Sequence, residues 1–219
     1  MSRVLIIISF LFIYRTADND QKTRQLYDEI NLKNEIAFPV FDYAFQGYSK
    51  LSGIKKKNIL TIIDFSKPSS EERLFIIDLE NKELKMKSYV AHGKNSGENE
   101  ATSFSNESRS LKSSLGFYLT AETYTGKHGY SLRLDGMEKG INSNARNRSI
   151  VIHGADYVSE SFIEKYGRLG RSWGCPAVPS ELSRQIIDEI AHGSCLFIYA
   201  DDKEYLGASK LIHPILEKK

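Results

Sequence analysis

Two neighbouring stretches decide the reading: A-R-N-R-S-I-V-I-H-G-A-D-Y-V-S (145–159) and G-R-L-G-R-S-W-G-C-P-A-V-P (167–179). Residues 149–153 are a β-branched run, which predicts a strand that delivers His153 at its end, with Gly154 directly behind it. Cys175 follows 22 positions later, preceded by Ser172, Trp173 and Gly174. A thiol attacks only as thiolate, so it needs a base or a positive field beside it. His153 can act as that base, and Arg168 and Arg171 can bias the local potential. Gly174 lets backbone approach the thiol, and amides near Cys175 can form an oxyanion hole. Gly174, Gly154 and Ser172 are the candidates for that support. One His and one Cys at this spacing fit equally well a buried thiol and a strand-end imidazole bonded to backbone.

Outward from this centre the chain reads as two helices, a strand-rich middle and a late helix. Residues 20–32 carry Leu26, Tyr27 and Ile30 on one face. Pro39 suits the first turn of a second helix, in which Phe41, Ala44, Phe45, Tyr48 and Leu51 recur at helical spacing up to Gly53. The period then changes. Residues 58–65, 73–79 and 84–91 predict strands, with a turn at Asn81 and Lys82. Residues 92–114 are rich in Gly, Ser and Asn and too long for a simple connection, hence functional or mobile. Strands are expected at 115–121, 130–134 and 149–153. A helix opens at Ser180, buries Leu182, Ile186 and Ile190, and closes at Gly193; residues 195–200 form a buried strand.

Composition sets the outer limits. With 219 residues, roughly 70% of the unfolded surface can be buried, enough for one sizeable core. Hydrophobic residues at 41% and charged residues at 26% match a globular chain and exclude disorder, collagen and a multi-span membrane protein. Thirty basic against 28 acidic residues leave a net charge of +2, which gives no reason to expect nucleic acid. Cys175 and Cys195 are too few for a disulfide framework and lack zinc spacing. A bridge between them is sterically open, but a nucleophilic Cys175 requires both to be free. No metal-ligand constellation, cofactor motif or phosphate loop is visible. Met1-Ser2-Arg3, the apolar run 4–14 and the polar switch at Arg15 fit an export signal, although Arg15 makes a poor cleavage context. The expectation is an exported protein of the periplasm or cell envelope, touching membrane only through residues 1–17, and monomeric. Its parts are that segment, an N-terminal helical segment (20–54), a catalytic domain (55–205) and a tail (206–219).

The motif I-H-G followed by S-x-G-C resembles the core of the L,D-transpeptidases, the YkuD-like fold, and most closely its murein L,D-transpeptidase catalytic-domain branch. The resemblance spans roughly residues 58–200. It includes V-A-H-G-K (90–94), F-S-N (104–106), S-S-L-G-F-Y (113–118), G-K-H-G-Y-S-L-R-L-D-G (126–136), A-R-N-R-S-I-V-I-H-G-A (145–155) and G-R-L-G-R-S-W-G-C-P-A-V (167–178). It implies a mainly β domain with flanking helices, a mixed β-sandwich with the site in a cleft, here preceded by the N-terminal helical pair. The chain departs from the wider superfamily on both sides of the Cys: Trp173 stands where His usually precedes Gly-Cys, and Pro176 and Ala177 follow where Arg or Asn is usual.

The resemblance further implies a cysteine acyltransferase acting on peptidoglycan stem peptides, with Cys175 as nucleophile and His153 as base. Transfer to water instead of an amine gives an L,D-carboxypeptidase or hydrolase on the same site. A wall-binding module with an inert Cys175 is the non-catalytic alternative. Trp173, Arg171, Arg148, His128 and His92 are candidate substrate contacts. His128 is equally explicable as a turn residue. Arg148 or Arg146 would suit a substrate carboxylate, with a surface ion pair the plainer reading of Arg146. Cys195 and His192 read as structural.

Overall fold

The computed structural model describes residues 19–212. Helix α1 covers 19–29. It is followed by α2 (Phe38–Lys50), β1 (Ile59–Asp64), β2 (Leu74–Asp78), β3 (Glu83–Ser88), β4 (Gly116–Gly126), β5 (Gly129–Gly136), β6 (Val151–Gly154), α3 (Glu160–Tyr166), β7 (Ala177–Val178), α4 (Ser183–Ile190), β8 (Cys195–Tyr199) and α5 (Lys203–Ala208). The strands form one mixed sheet in the order β3-β2-β1-β8-β4-β5-β6-β7. The pairs β1/β8 and β6/β7 are parallel and the rest antiparallel. The expected mainly β architecture with flanking helices and an N-terminal pair is therefore what the chain adopts, its sandwich-like form built from one continuous ladder.

Burial follows strand position. In β1 (I-L-T-I-I-D) and β8 (C-L-F-I-Y) every residue is buried, because these strands lie inside the sheet with both faces covered. At the edge, β3 alternates between exposed and partly buried positions. The N-terminal helices belong to the same core: α2 packs on β1 and β8. Tyr27 of α1 donates its hydroxyl to Ile36 O at 2.7 Å and meets the Phe38 ring edge-on at 5.3 Å. Pro39 stands in the first turn of α2, where its missing N–H costs nothing. Gly47 lies where α2 crosses the sheet, and a Cβ there would come 1.9 Å from Phe117 Cζ. Gly47→Ala is accordingly expected to lower stability by about 1–3 kcal/mol through overpacking. An unchanged urea midpoint would show that the helix shifts freely.

Several elements differ from the sequence reading. The strand expected over 84–91 stops at Ser88, because Val90 O is taken by the buried Arg73 guanidinium, 3.0 Å from Nε and 2.9 Å from Nη2. Ala91 then bridges to Ala177 and Gly93 to Ser172, so the start of the 92–114 loop runs beside the cysteine segment. Strand β4 runs on to Gly126 through an irregularity between Thr120 and Thr123. The hairpin closes through Lys127 and His128, with Gly129 at φ +73°. Helix α4 begins at Ser183, not Ser180.

Helices α3 and α5 and the short β7 were not expected. Ser159 Oγ caps α3 by accepting from Phe162 N, and Gly167 closes it at φ +70°. Asp202 caps α5. Part of the expected tail is thus helical, and Ile212 is buried. The apolar segment 1–17 and His213 lie outside the described residues. Among the described residues no helix is long and apolar enough to cross a membrane.

Candidate active site

Strands β6 and β7 bring the two motifs together. His153 pairs with Ala177 and Gly154 with Val178 in a short parallel ladder, which puts Cys175 two residues ahead of the partner of His153. The His153 side chain is buried, and its Nδ1 donates to Gly154 O at 2.9 Å. A carbonyl can only accept, so the proton is fixed on Nδ1 and Nε2 keeps its lone pair. Burial, reinforced by neighbouring His128, holds the imidazole below its ordinary range. Gly154 has a packing role: a Cβ would meet Ser183 Oγ at 2.8 Å at the start of α4.

The β4–β5 hairpin completes this side of the site. His128, at its tip, stacks on His153 with ring centroids 4.5 Å apart and planes 25° apart. Next to it, Lys127 Nζ sits 5.9 Å from the centre of the Trp173 ring. Trp173 itself is 71% exposed, an unusual setting for so large an apolar surface beside a buried strand end.

The cysteine turn is ordered by Ser172. Its Oγ accepts from Gly174 N at 3.0 Å and donates to Cys175 O. Its backbone is locked from the other side, N to His92 O at 2.9 Å and O from Lys94 N at 2.8 Å. Gly174 adopts φ +124°, and a Cβ there would lie 2.7 Å from Lys112 O. The Gly174 amide is therefore engaged within the turn and is not an open oxyanion donor, a correction to its expected role. The Cys175 amide, by contrast, donates to no group among the described residues.

Cys175 is half-buried and free, and its Sγ lies 3.6 Å from Ser149 O. Ser149 adopts φ +57°, a strained conformation for a non-glycine residue, and so aims its carbonyl at the thiol. Burial pushes the thiol up, while Val151 N–H and the Arg148 charge pull it down. No hydrogen bond joins Cys175 to His153. Cys195, free and fully buried in β8, is pushed up to about 12 by burial alone.

The remaining candidates separate. Arg171 spends Nη1 on Lys94 O, Gly97 O and Glu98, and Arg168 also pairs with Glu98. The two guanidiniums share the one Glu98 carboxylate, which offsets part of their charge. Arg146 is paired with Glu122 and Asp135. These three residues line a cavity of about 430 Å³ with Lys55 and His192, and none of the cysteine-turn residues borders it. Arg148 reaches the cysteine turn: its Nη2 stands 3.3 Å from where a Gly174 Cβ would be. Two residues at the site escaped the sequence reading. Ser113 Oγ bridges Gly93 N and Gly174 O. Tyr157 is pushed up to about 12 by burial and by the charge of Cys175. Nothing in the local pattern marks either as special. Among the described residues no group of His, Cys, Asp and Glu could hold a metal ion.

His92 does not line the cleft. It is fully buried, where Nδ1 accepts from Arg73 Nη2 at 2.8 Å and Nε2 donates to Gly97 O at 3.3 Å. Burial, with Arg73, Arg171 and Arg168 adding repulsion, holds it neutral with a pKa of about 4. In the unfolded chain it titrates near 6.5, so there the proton binds first. The stability contribution of this neutral His92 is full above about 6.5 and is lost as pH falls toward 4, by about 3 kcal/mol at most. Urea midpoints at pH 7 and pH 4.5 should therefore differ, and His92→Asn should narrow the gap. A gap of the same size in the variant would assign it to other groups.

The structure thus sets a half-buried thiol two residues before β7 and an oriented imidazole on the neighbouring β6, on a mixed sheet flanked by helices. The L,D-transpeptidase catalytic domain pattern matches residues 32–199, and the chain belongs to that family. No match is found among curated proteins. Among solved structures, the chain is similar to an L,D-transpeptidase from Mycobacterium smegmatis, with 12% identity and a TM-score of 0.40, covering 65% of this chain and 59% of that one. It is also similar to the helical cell shape determining protein Pgp2 from Campylobacter jejuni, with 12% identity, TM-score 0.45, and 74% and 57% of the two chains covered. An L,D-transpeptidase from Xylanimonas cellulosilytica shows 13% identity, TM-score 0.38, and 83% and 93% coverage. The chain thus spans about three fifths of the length of the first of these.

Proposed function

We propose that this chain is an exported peptidoglycan L,D-transpeptidase that works through a Cys175 thioester. The observation that carries the reading is the family match over 32–199 together with the β6/β7 pairing that places Cys175 two residues before the partner of His153, beside an exposed Trp173. The Cys175 thiol gives its proton to the free Nε2 of His153, the thiolate attacks the carbonyl of the third residue of a stem tetrapeptide, and the S–C bond forms. The tetrahedral oxyanion is met by the unengaged Cys175 N–H. The C–N bond to the terminal D-alanine then breaks, its nitrogen taking a proton from His153 Nε2. An amine of a second stem attacks the thioester and gives up a proton to the same nitrogen, and Cys175 leaves as thiolate. Trp173 and the hairpin tip at Lys127 and His128 wall the cleft through which the stems would enter.

Purified protein incubated with tetrapeptide muropeptides tests this by mass analysis. Cross-linked dimer with released D-alanine is the expected product. Tripeptide alone would make the enzyme an L,D-carboxypeptidase, and unaltered substrate together with an unreactive Cys175 would leave a binding module. For export, the native protein is expected to begin near residues 17–22. An intact Met1 on a soluble cytosolic protein would refute that part.

A further inference from the structure

We propose that Arg148, and not His153, is the fixed positive charge that holds the Cys175 thiolate, leaving the imidazole to carry the proton of the departing amine. The first observation is a guanidinium without a counter-ion. Arg148 Nη1 donates to Ser105 O at 2.6 Å and Ser114 Oγ at 3.3 Å, and Nη2 to Lys112 O at 2.6 Å and Ser110 Oγ at 3.3 Å. All four acceptors are neutral. No carboxylate pairs with Arg148 among the described residues, and its buried Nε has no hydrogen-bond partner. A half-buried charge left in this state is costly unless an anion forms beside it.

The second observation is where that charge stands. Nη2 lies against Gly174, the residue before the nucleophile, and the next residue in the chain, Ser149, accepts from the thiol. The third is that the thiol is not bonded to His153, whose own proton is held by Gly154 O. The other ionisable groups around the turn do not fill the role. Arg171 is paired with Glu98, Lys112 Nζ is bound to Ser103 Oγ, and Lys127 lies over Trp173. Tyr157 brings no positive charge, and His128 is stacked on His153. In agreement, burial pushes Arg148 down, and ionisation of the neighbouring Cys175 would pull it back.

The inference rests on Cys175 being the nucleophile proposed above, and it divides the work between the two cations. Its test is thiol ionisation, read as the iodoacetamide alkylation rate of Cys175 from pH 6 to 10.5, with peptide mapping to assign the modified residue. An opposite charge close to a titrating group moves its midpoint by about 1–3 pH units. Arg148→Gln should therefore raise the midpoint and slow alkylation at pH 7 at least about tenfold. Arg148→Lys keeps the charge while losing the fork that ties the 105–114 loop, and should stay within about threefold of wild type. His153→Gln should also stay within about threefold. A mere loop staple would be lost equally in both Arg148 variants. Coincident profiles for Arg148→Gln and wild type, or a tenfold loss in His153→Gln, overturn the proposal. If Arg148→Gln gives no cooperative melt, the Arg148→Lys and His153→Gln profiles decide. A wild-type protein that alkylates normally but never forms an acyl adduct would refute the proposed function and leave this assignment standing.

Discussion

Cys175→Ser is expected to abolish the covalent adduct with a carbapenem, whose strained ring reports a nucleophilic thiol, and to reduce peptide transfer by on the order of 10⁴-fold or more. Serine nearly matches cysteine in size, and its Oγ keeps Ser149 O as a neighbour, so the fold should survive. What is lost is ionisation: burial pushes the thiol up and Val151 N–H and Arg148 pull it back toward the anion, a form a hydroxyl cannot reach. Cys195→Ser is the matched control. That thiol is fully buried in β8, between Leu60 and Leu119, and burial keeps it protonated. A hydroxyl there should lower stability by about 1–3 kcal/mol yet leave the adduct intact. Intact-mass spectra of both variants decide the matter. An adduct on Cys175→Ser, or its loss only in Cys195→Ser, would move the nucleophile elsewhere.

His153→Gln should cost at least about 10² in adduct formation and transfer, the usual worth of a positioned acid–base group. The argument is geometric. Nδ1–H is spent on Gly154 O, so Nε2 is the nitrogen that can exchange a proton with the reacting groups. Burial lowers the imidazole pKa, so the ring is neutral at neutral pH and the acid limb of the rate profile falls below the usual histidine range. Because the group is depressed, activity is full above that limb and declines as pH drops through it. Stacking by His128 adds to this, so removal of His128 should move the limb upward. Acyl transfer measured against pH for wild type and His153→Gln is the check. Equal rates near pH 7 would exclude His153. His128 would then be the next candidate, whereas His92 is removed from consideration by its burial against Arg73.

Much of this arrangement is legible in single residues. The I-V-I-H-G run could be read as a strand ending in His153 because β-branched residues favour a pleated surface and Gly154 ends the run. The apolar-rich runs of β1, β2 and β8 announced strands, that of β8 a buried one, and the spacing from Phe41 to Leu51 announced α2. Short elements were harder. Helix α3 buries none of its residues, so it carries no hydrophobic period, although its Ser159 and Gly167 caps were in plain view. Strand β7 is two residues long and exists only because β6 lies beside it.

By itself the sequence determined the family and the mixed mainly β class, and it singled out Cys175 and His153 as candidates, since these depend on local pattern and on residue type at fixed order. Tertiary structure decided which charges face the thiol. Arginines 146, 148, 168 and 171 are chemically identical in the sequence, but three of them meet carboxylates brought from 11 to 73 residues away. Only Arg148 arrives at the cysteine turn unpaired. The same holds for the histidines: His128 reaches His153 through a hairpin, and His92 is drawn inward by Arg73. The physical reason is that a pKa, a counter-ion or an open amide belongs to groups in contact. The contacts here are made between segments far apart in the chain.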